Sequence, residues 1–377
     1  MKKVVLIPDS FKGTLSSAQI CRAVSEEIHT VFPDALVQEI PVADGGEGTV
    51  DAFLTAVGGQ KVMAKCKGPY MEDMTGFYGL LPDGTAVVEM AAAAGLPLVG
   101  ENRRADQTTT YGVGELIAHA VEHGAKRIVL GLGGSATNDG GSGCAAALGV
   151  KFFNAEGEAF IPVGGTLDQV VSISAAELLP ALKTVPITAM CDIDNPLCGE
   201  NGASAVFGPQ KGADPEMVQI LDHNLHHMAE LVKRDLGADI LTLPGGGAAG
   251  GFGAGAMAFL NAALQMGIET VLDLTDFDIA VQDADLVITG EGKLDSQSLR
   301  GKVVIGVARR AKKAGVPVAA LVGASETEIA GAYGEGVSGV FPINPEPKTF
   351  AEVKEDSEKN LRFTARNLMH FIRTIEG

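Results

Sequence analysis

Both ends of this chain carry the same rhythm, a short β-branched run followed by a helical repeat. Val4-Val5-Leu6-Ile7, closed by Pro8, reads as a strand buried on both faces. Ser16 and Gln19 are spaced as a capping box, and Ile20, Val24 and Ile28 then mark one helix face that ends near Pro33. A second strand is expected over 36–42. Asp44 opens a helix with Val50, Phe53, Leu54 and Val57 on one side, stopped by Gly58-Gly59. The far end repeats this: a strand at 286–289, a helix at 302–314, a strand at 316–322, a short helix from about Ser325, a strand at 337–341 and a final helix at 351–375. Two front strands and three back strands make one five-stranded parallel doubly wound α/β domain, residues 1–60 with 282–377. A second α/β domain, 61–281, is inserted into it.

Within the insertion the pattern changes. Short segments separated by turns run to about 110, a helix covers 112–123, and a strand covers 127–132. Asn154-Ala155-Glu156-Gly157 suggests a hairpin, 214–236 one long amphipathic helix, and 250–266 a helix of small residues.

Charge narrows the partners. With 29 Lys plus Arg against 47 Asp plus Glu, the net charge is 29 − 47 = −18. Such a chain repels nucleic acid and anionic membrane, so neither is expected as a partner. An anionic small molecule would have to be held by backbone N–H groups, a few placed cations or a metal ion. Five cysteines, an odd number with no C-x-x-C, suit a reducing compartment. The apolar run after Lys2-Lys3 is too short for a signal peptide, and no apolar stretch could span a bilayer. A cytoplasmic protein is expected.

Ligands of open parallel sheets sit at the carboxyl ends of the strands. "PDSFKGTLS" (8–16), "ADGGEGT" (43–49) and "TGEGKLDSQSLRGK" (289–302) all fall there. In the first, Asp9 and Ser10 either close a turn or line a site, and Lys12 can meet a carboxylate or phosphate. In the second, Asp44 and Glu47 read as a cap, whereas Gly45, Gly46 and Gly48 would let a ligand lie against bare N–H groups at the helix end. The third mixes Glu291, Lys293, Asp295, Arg300 and Lys302, a set suited to a magnesium–phosphate centre or to a solvated loop.

The insertion has glycine loops of its own. "VLGLGGSATNDGGSGCAAALG" (129–149) runs from strand to helix and is the clearest phosphate-loop candidate. It is not a Walker loop, since no glycine-lysine-hydroxyl triplet follows. Gly131, Gly133 and Ala136 match the dinucleotide pattern, but Glu156 and Glu158 fall in the expected hairpin rather than at a strand end. Close packing of small residues is the competing account. In "MCDIDNPLCG" (190–199), Asp192 and Asp194 would alternate faces if the strand continued, with Asp192 the candidate ligand or base. Cys191 and Cys198 lack zinc spacing. "LPGGGAAGGFGAG" (243–255) lets backbone approach either a ligand or another helix.

Taken together, "PDSFKGTLS", "VADGGEGT", "GLGGSATNDGG", "CDIDNPLCG", "FGPQKGA", "GGGAAGGFGAG" and "GEGKLDSQSLRGK" resemble the bacterial glycerate kinase family, in family order along the whole chain. The resemblance implies a discontinuous flavodoxin-like domain with a second α/β domain, and a site in the cleft between them. It implies ATP-dependent phosphorylation of D-glycerate with magnesium, usually at the 2-hydroxyl. Phosphoryl transfer needs positioning, charge neutralisation and a group to take the hydroxyl proton. The residue chemistry then suggests glycerate held by Asp9, Ser10, Asp44, Gly45 and Gly46, with its carboxylate near Lys12 or Arg300. ATP phosphates would rest on Gly133, Gly134, Ser135 and Asn138. Asp192 and Glu291 are the candidate magnesium ligands, and Asp295 the candidate base with Asp192 as its rival. Phosphorylation to 3-phosphoglycerate, a nicotinamide-dependent dehydrogenase and a non-catalytic nucleotide-binding regulator are the alternatives, and a homodimer is possible.

Overall fold

Lys3–Pro8 pairs in parallel with Leu36–Glu39 on one side and Leu286–Leu294 on the other. Val318–Ser325 and Gly339–Pro342 complete a five-stranded parallel sheet, in which Lys3–Pro8 is one strand in from the edge. This computed structural model describes residues 1–43, 45–296, 298–327, 329–346 and 349–376, without the side chains of Arg300 and Phe350. The chain forms two compact units. One contains Met1–Ala43, Thr55–Val57 and Met266–Gly377, the other Asp44–Leu54 and Gly58–Gln265.

In the first unit Val4 and Leu6 share an apolar cluster with Ile20, Val24 and Ile28 of helix Ser17–Val31 and with Leu361, Ala365 and Leu368 of helix Ser357–Glu376. Val5 and Ile7 point to the opposite face and are equally buried. Helix Val303–Ala314 packs against strand Leu286–Leu294. The capping box of Ser16 and Gln19 is present at the start of helix Ser17–Val31. The continuous aliphatic run is thus explained: a parallel strand covered on both faces has no polar side.

The second unit holds a six-stranded mixed sheet. Gln60–Lys67, Asp73–Leu80 and Thr85–Glu89 are antiparallel, and Arg127–Gly131, Ile187–Met190 and Ala263–Gln265 extend it in parallel. A separate three-stranded sheet contains the hairpin Lys151–Phe153 and Ala159–Phe160, as expected at Asn154–Gly157. Helix Pro215–Leu236 is capped by Asp214, whose side chain accepts from the Met217 N–H.

Several expected bounds are corrected. The second strand is only Leu36–Glu39. The helix expected from Asp44 is Thr49–Val57, with Gly48 as its cap at φ +84°. Gly45 also has positive φ, so these glycines shape the approach to the helix rather than fill its first turn. The strand expected to stop at 289 continues to Leu294, so half of the supposed third loop is sheet. A Cβ on Gly290 would stand 2.1 Å from the Leu321 carbonyl oxygen, which accounts for that glycine within the strand. Val318–Ser325 likewise overruns its expected end, and the next helix begins at Ala330. The small-residue helix is Ala248–Leu260, with Ala249, Gly250 and Gly251 left-handed, and its expected tail is strand Ala263–Gln265. The final helix is divided into Phe350–Val353 and Ser357–Glu376.

Ion pairs join helices Ser17–Val31 and Ser357–Glu376, which cover one face of the first sheet. The Arg366 guanidinium donates to both oxygens of buried Glu27, at 2.7 and 3.1 Å. That bond, helped by Arg362, holds the Glu27 carboxyl below its ordinary range. A depressed folded value means the contribution is complete above the ordinary glutamate pKa and is lost as pH falls through the folded one. Glu27→Gln should therefore lower stability by about 1–2 kcal/mol at pH 7, read as a fall of a few degrees in thermal midpoint. The gap between wild type and variant should close below about pH 4.

Candidate functional site

Candidate residues collect in each unit separately. In the first, the Asp9 N–H donates to the Gly290 carbonyl, which ties the end of the first strand to the start of the strand extension beside it. The Ser10 N–H donates to Asp9 Oδ1 at 2.7 Å. Phe11 and Leu15 then bridge to each other and bury their side chains, so residues 12–14 form a tight turn with Gly13 at φ +80°. Lys12 is exposed at the tip of that turn. The turn packs over Gly292, where an added Cβ would lie 3.6 Å from the Lys12 backbone nitrogen.

Glu291 is the central acid here. It is only 6% exposed, and its Oε1 has no hydrogen-bond partner among the described residues. Burial, first of all, pushes its carboxyl up to about 7, with Asp9 and Asp295 adding like charge. A hydrogen bond from Ser298 and the charge of Lys302 oppose that shift. Asp295 is held by a reciprocal turn: its N–H donates to Ser298 Oγ and its Oδ1 accepts from the Ser298 N–H. Lys293 Nζ lies 2.8 Å from Glu326 and 3.6 Å from Asp295. Thus Asp9, Glu291 and Asp295 form one electrostatic group, with Lys12 on the adjoining turn. Sequence reasoning did not single out Ser298, whose hydroxyl links two of these acids; an Asp-x-x-Ser spacing was the available signal. Asp44 and the Arg300 side chain lie outside the described residues.

In the second unit, strand Arg127–Gly131 feeds the glycine loop ahead of the short helix Ser142–Ala147. The Gly133 N–H donates to the Gly45 carbonyl at 2.8 Å. A Cβ on Gly133 would stand 2.6 Å from Gly46 Cα, and one on Gly131 would stand 2.4 Å from the Gly45 carbonyl oxygen. Gly45 and Gly46 are therefore packed backbone to backbone against 131–133. The end of helix Thr49–Val57 that the sequence offered to a ligand is met by a protein carboxylate: the Val50 N–H donates to Glu89 Oε2 at 3.0 Å, and the Gly48 N–H also bonds Glu89. Burial pushes the Glu89 carboxyl up, and those two N–H groups pull it down.

The open question over 243–255 has a similar answer. A Cβ on Gly250 would stand 2.0 Å from the Thr137 carbonyl oxygen, and one on Gly255 2.0 Å from that of Gly140. The close partner is protein backbone. Asp139, fully buried, accepts from the Thr110 N–H and Oγ1 and from the N–H groups of Gly141 and Gly143. Asn138 is also fully buried, its Nδ2 donating to Ser204 Oγ at 3.0 Å while its Oδ1 has no partner among the described residues. Gly134 has φ +73°, and Ser135 is 6% exposed. Lys211, inside "FGPQKGA" but not singled out from sequence, reaches Ser135 from behind, with Nζ 2.7 Å from its Oγ.

Asp192 is half-buried beyond strand Ile187–Met190, and Asp194 is exposed. The expected opposition of the two acids is wrong on two counts: the strand ends at Met190, and residues two apart in a strand share a face. The Cys191 and Cys198 thiols donate to backbone carbonyls. No group of three or more His, Cys, Asp or Glu arranged to hold a metal ion occurs among the described residues. Among them, no helix is long and apolar enough to cross a membrane.

Close packing gives a direct test. Gly133→Ala should cost about 1–3 kcal/mol, because its methyl group meets backbone that cannot swing away. Gly334→Ala, on an exposed helix with open space at the Cβ position, should be neutral or slightly stabilising. Thermal midpoints of the two variants against wild type would check this.

Known proteins resemble the chain over nearly its full length. The sequence model of the glycerate kinase family matches residues 4–373. A glycerate kinase of Bacillus cereus (strain ATCC 10987 / NRS 248) is 47% identical over 368 residues, 97% of each chain. A glycerate 2-kinase of Escherichia coli (strain K12) is 45% identical over 368 residues, again 97% of each. The crystal structure of a protein assigned as glycerate kinase 2 from Salmonella typhimurium LT2 matches with a TM-score of 0.87 at 43% identity, over 100% of this chain and 99% of that one. The chain belongs to the glycerate kinase family, and it is an enzyme that phosphorylates glycerate. The dinucleotide pattern at Gly131, Gly133 and Ala136 is then a coincidence of close packing.

Proposed function

We propose, with membership of the glycerate kinase family as the premise, that the protein transfers the terminal phosphoryl group of ATP to the 2-hydroxyl of D-glycerate, giving 2-phosphoglycerate and ADP. The observation that carries this assignment of the site is the buried Glu291 oxygen, without a hydrogen-bond partner among the described residues, grouped with Asp9 and Asp295 at the carboxyl end of the first sheet. Support for the 2-hydroxyl comes from the related glycerate 2-kinase.

Glu291 suits magnesium, which in phosphoryl-transfer sites rests on one or two carboxylates plus substrate phosphates. Asp192 is the second candidate ligand. When bound, the ion would neutralise charge on the transferred group. Asp295 takes the proton from the glycerate hydroxyl. Its carboxylate is turned and held by Ser298 and stays partly open to solvent. Asp9 and Ser10 orient the glycerate hydroxyls, and Lys12, or Arg300, answers its carboxylate. Nucleotide phosphates are taken by the 133–138 loop through Gly133, Gly134 and Ser135. Asn138, being enclosed, would contribute by holding that loop to Ser204. Five free cysteines, with no disulfide among the described residues, favour the cytoplasm as the place of work.

Asp295→Asn should lower kcat by about 10²–10⁴ while leaving ADP affinity unchanged. Unaltered turnover would remove Asp295 from the chemistry. Phosphorus NMR of the product from D-glycerate should show the ester on the carbon bearing the 2-hydroxyl; an ester at the 3-position would overturn the assignment.

A further inference from the structure

Lys211 has no part in the roles assigned above, yet it is a lysine buried inside the second unit. It closes the 3-10 turn Pro209–Lys211 and is 2% exposed. Its Nζ donates to Ser135 Oγ and to the Thr137 carbonyl, each at 2.7 Å. Both acceptors belong to the 133–138 loop, so one ammonium grips that loop at two points two residues apart. Burial pushes the Lys211 pKa down to about 7, against the opposing pull of the Asp139 carboxylate.

The direction of the first bond matters. Ser135 Oγ accepts from Lys211, so the hydroxyl's own proton is turned away from the lysine. An anion on the outer side of the loop would receive that proton as a hydrogen bond, polarised by the charge behind it. The Thr137 Oγ1 and Asn138 Oδ1 atoms are buried without partners among the described residues. Such groups favour rearrangement toward a partner. Lys211 therefore clamps the loop at the place where it has most reason to change shape.

We propose that Lys211 is a positioning residue for the nucleotide: through Ser135 and the Thr137 carbonyl it fixes the 133–138 loop and aims the Ser135 hydroxyl proton at a phosphate of the bound nucleotide. The proposal rests on the reading of that loop as the nucleotide-phosphate site. It places Lys211 behind the loop, without contact to the ligand.

Calorimetric titration with ADP, together with steady-state kinetics, tests it on Lys211→Met, Ser135→Ala and the double variant. Lys211→Met should weaken ADP binding and raise the KM for ATP by about ten- to hundredfold, and leave the KM for glycerate within about twofold. Its thermal midpoint should fall, because methionine removes the buried charge but leaves the Ser135 Oγ and the Thr137 carbonyl without their donor, so binding is read well below that midpoint. Ser135→Ala should also weaken ADP binding, and the double variant should bind no more weakly than Lys211→Met within about twofold. If Ser135→Ala weakens ADP and Lys211→Met does not, the role given to Lys211 is overturned and the nucleotide reading stands. If the two losses multiply in the double variant, Lys211 does not act through Ser135, and the proposal is again overturned. If neither single change alters ADP affinity, the nucleotide reading falls and takes this proposal with it. Should Lys211→Met not fold, Lys211→Gln and its double with Ser135→Ala are read against the same outcomes.

Discussion

Backbone laid against backbone is the constraint on which the second unit depends. Gly131 and Gly133 meet Gly45 and Gly46, and Gly250 and Gly255 meet the carbonyls of Thr137 and Gly140. A methyl group at any of these contacts from the 131–141 or 250–255 side would fall well inside van der Waals distance of main-chain atoms. The glycines thus fix where the 131–141 loop runs before any side chain acts. Asp139 then secures its far end through four donors, and Lys211 its near end through two acceptors. The polar chemistry of the loop follows from its close packing.

The first unit solves a different problem. A protein of net charge −18 has to attract anions. At physiological salt, exposed charges are felt over only about 8 Å, so the local set decides. Around Glu291 that set is mixed: Asp9 and Asp295 raise its pKa and Lys302 lowers it. Lys293 is shared between Glu326 and Asp295. An acid group of this kind favours a cation, and a cation at Glu291 would turn a repelling surface into one that accepts phosphate.

The parts of the fold legible in the sequence were those set by local periodicity. A run such as Val4 to Ile7 has one stable use, and the five-stranded sheet follows from five such runs. Glycine was an uneven guide to bounds: Gly58 does end its helix, but Gly290 and Gly48 do not play the parts their neighbourhoods suggest. Gly290 sits inside a strand because Leu321 leaves it no room, and Gly48 caps a helix from a left-handed conformation instead of lying within it. Acids and hydroxyls near the strand ends were visible as chemistry, but their partners were not. Asp139 is met by Thr110, 29 positions earlier, and Glu89 closes a helix that begins 40 residues before it. Lys211, between Gln210 and Gly212, has the local look of a solvated turn. Its burial is set by distant segments that no window around it contains.

That burial bears on what kind of residue Lys211 is. Enclosing an ammonium group costs several kcal/mol even after relaxation. Its two hydrogen bonds, each about 1.5–3 kcal/mol for a charged donor, offset part of this, and the Asp139 charge offsets more. A methionine would fill the same space with no charge to desolvate, but it would leave the Ser135 Oγ and the Thr137 carbonyl without a donor. The opposing costs are of similar size, so stability is a weak reason to prefer lysine at this position. What lysine supplies and methionine cannot is a donor pair that holds Ser135 and Thr137 in register and a positive charge behind the serine hydroxyl. Both act on the 133–138 loop, the proposed site of the nucleotide phosphates.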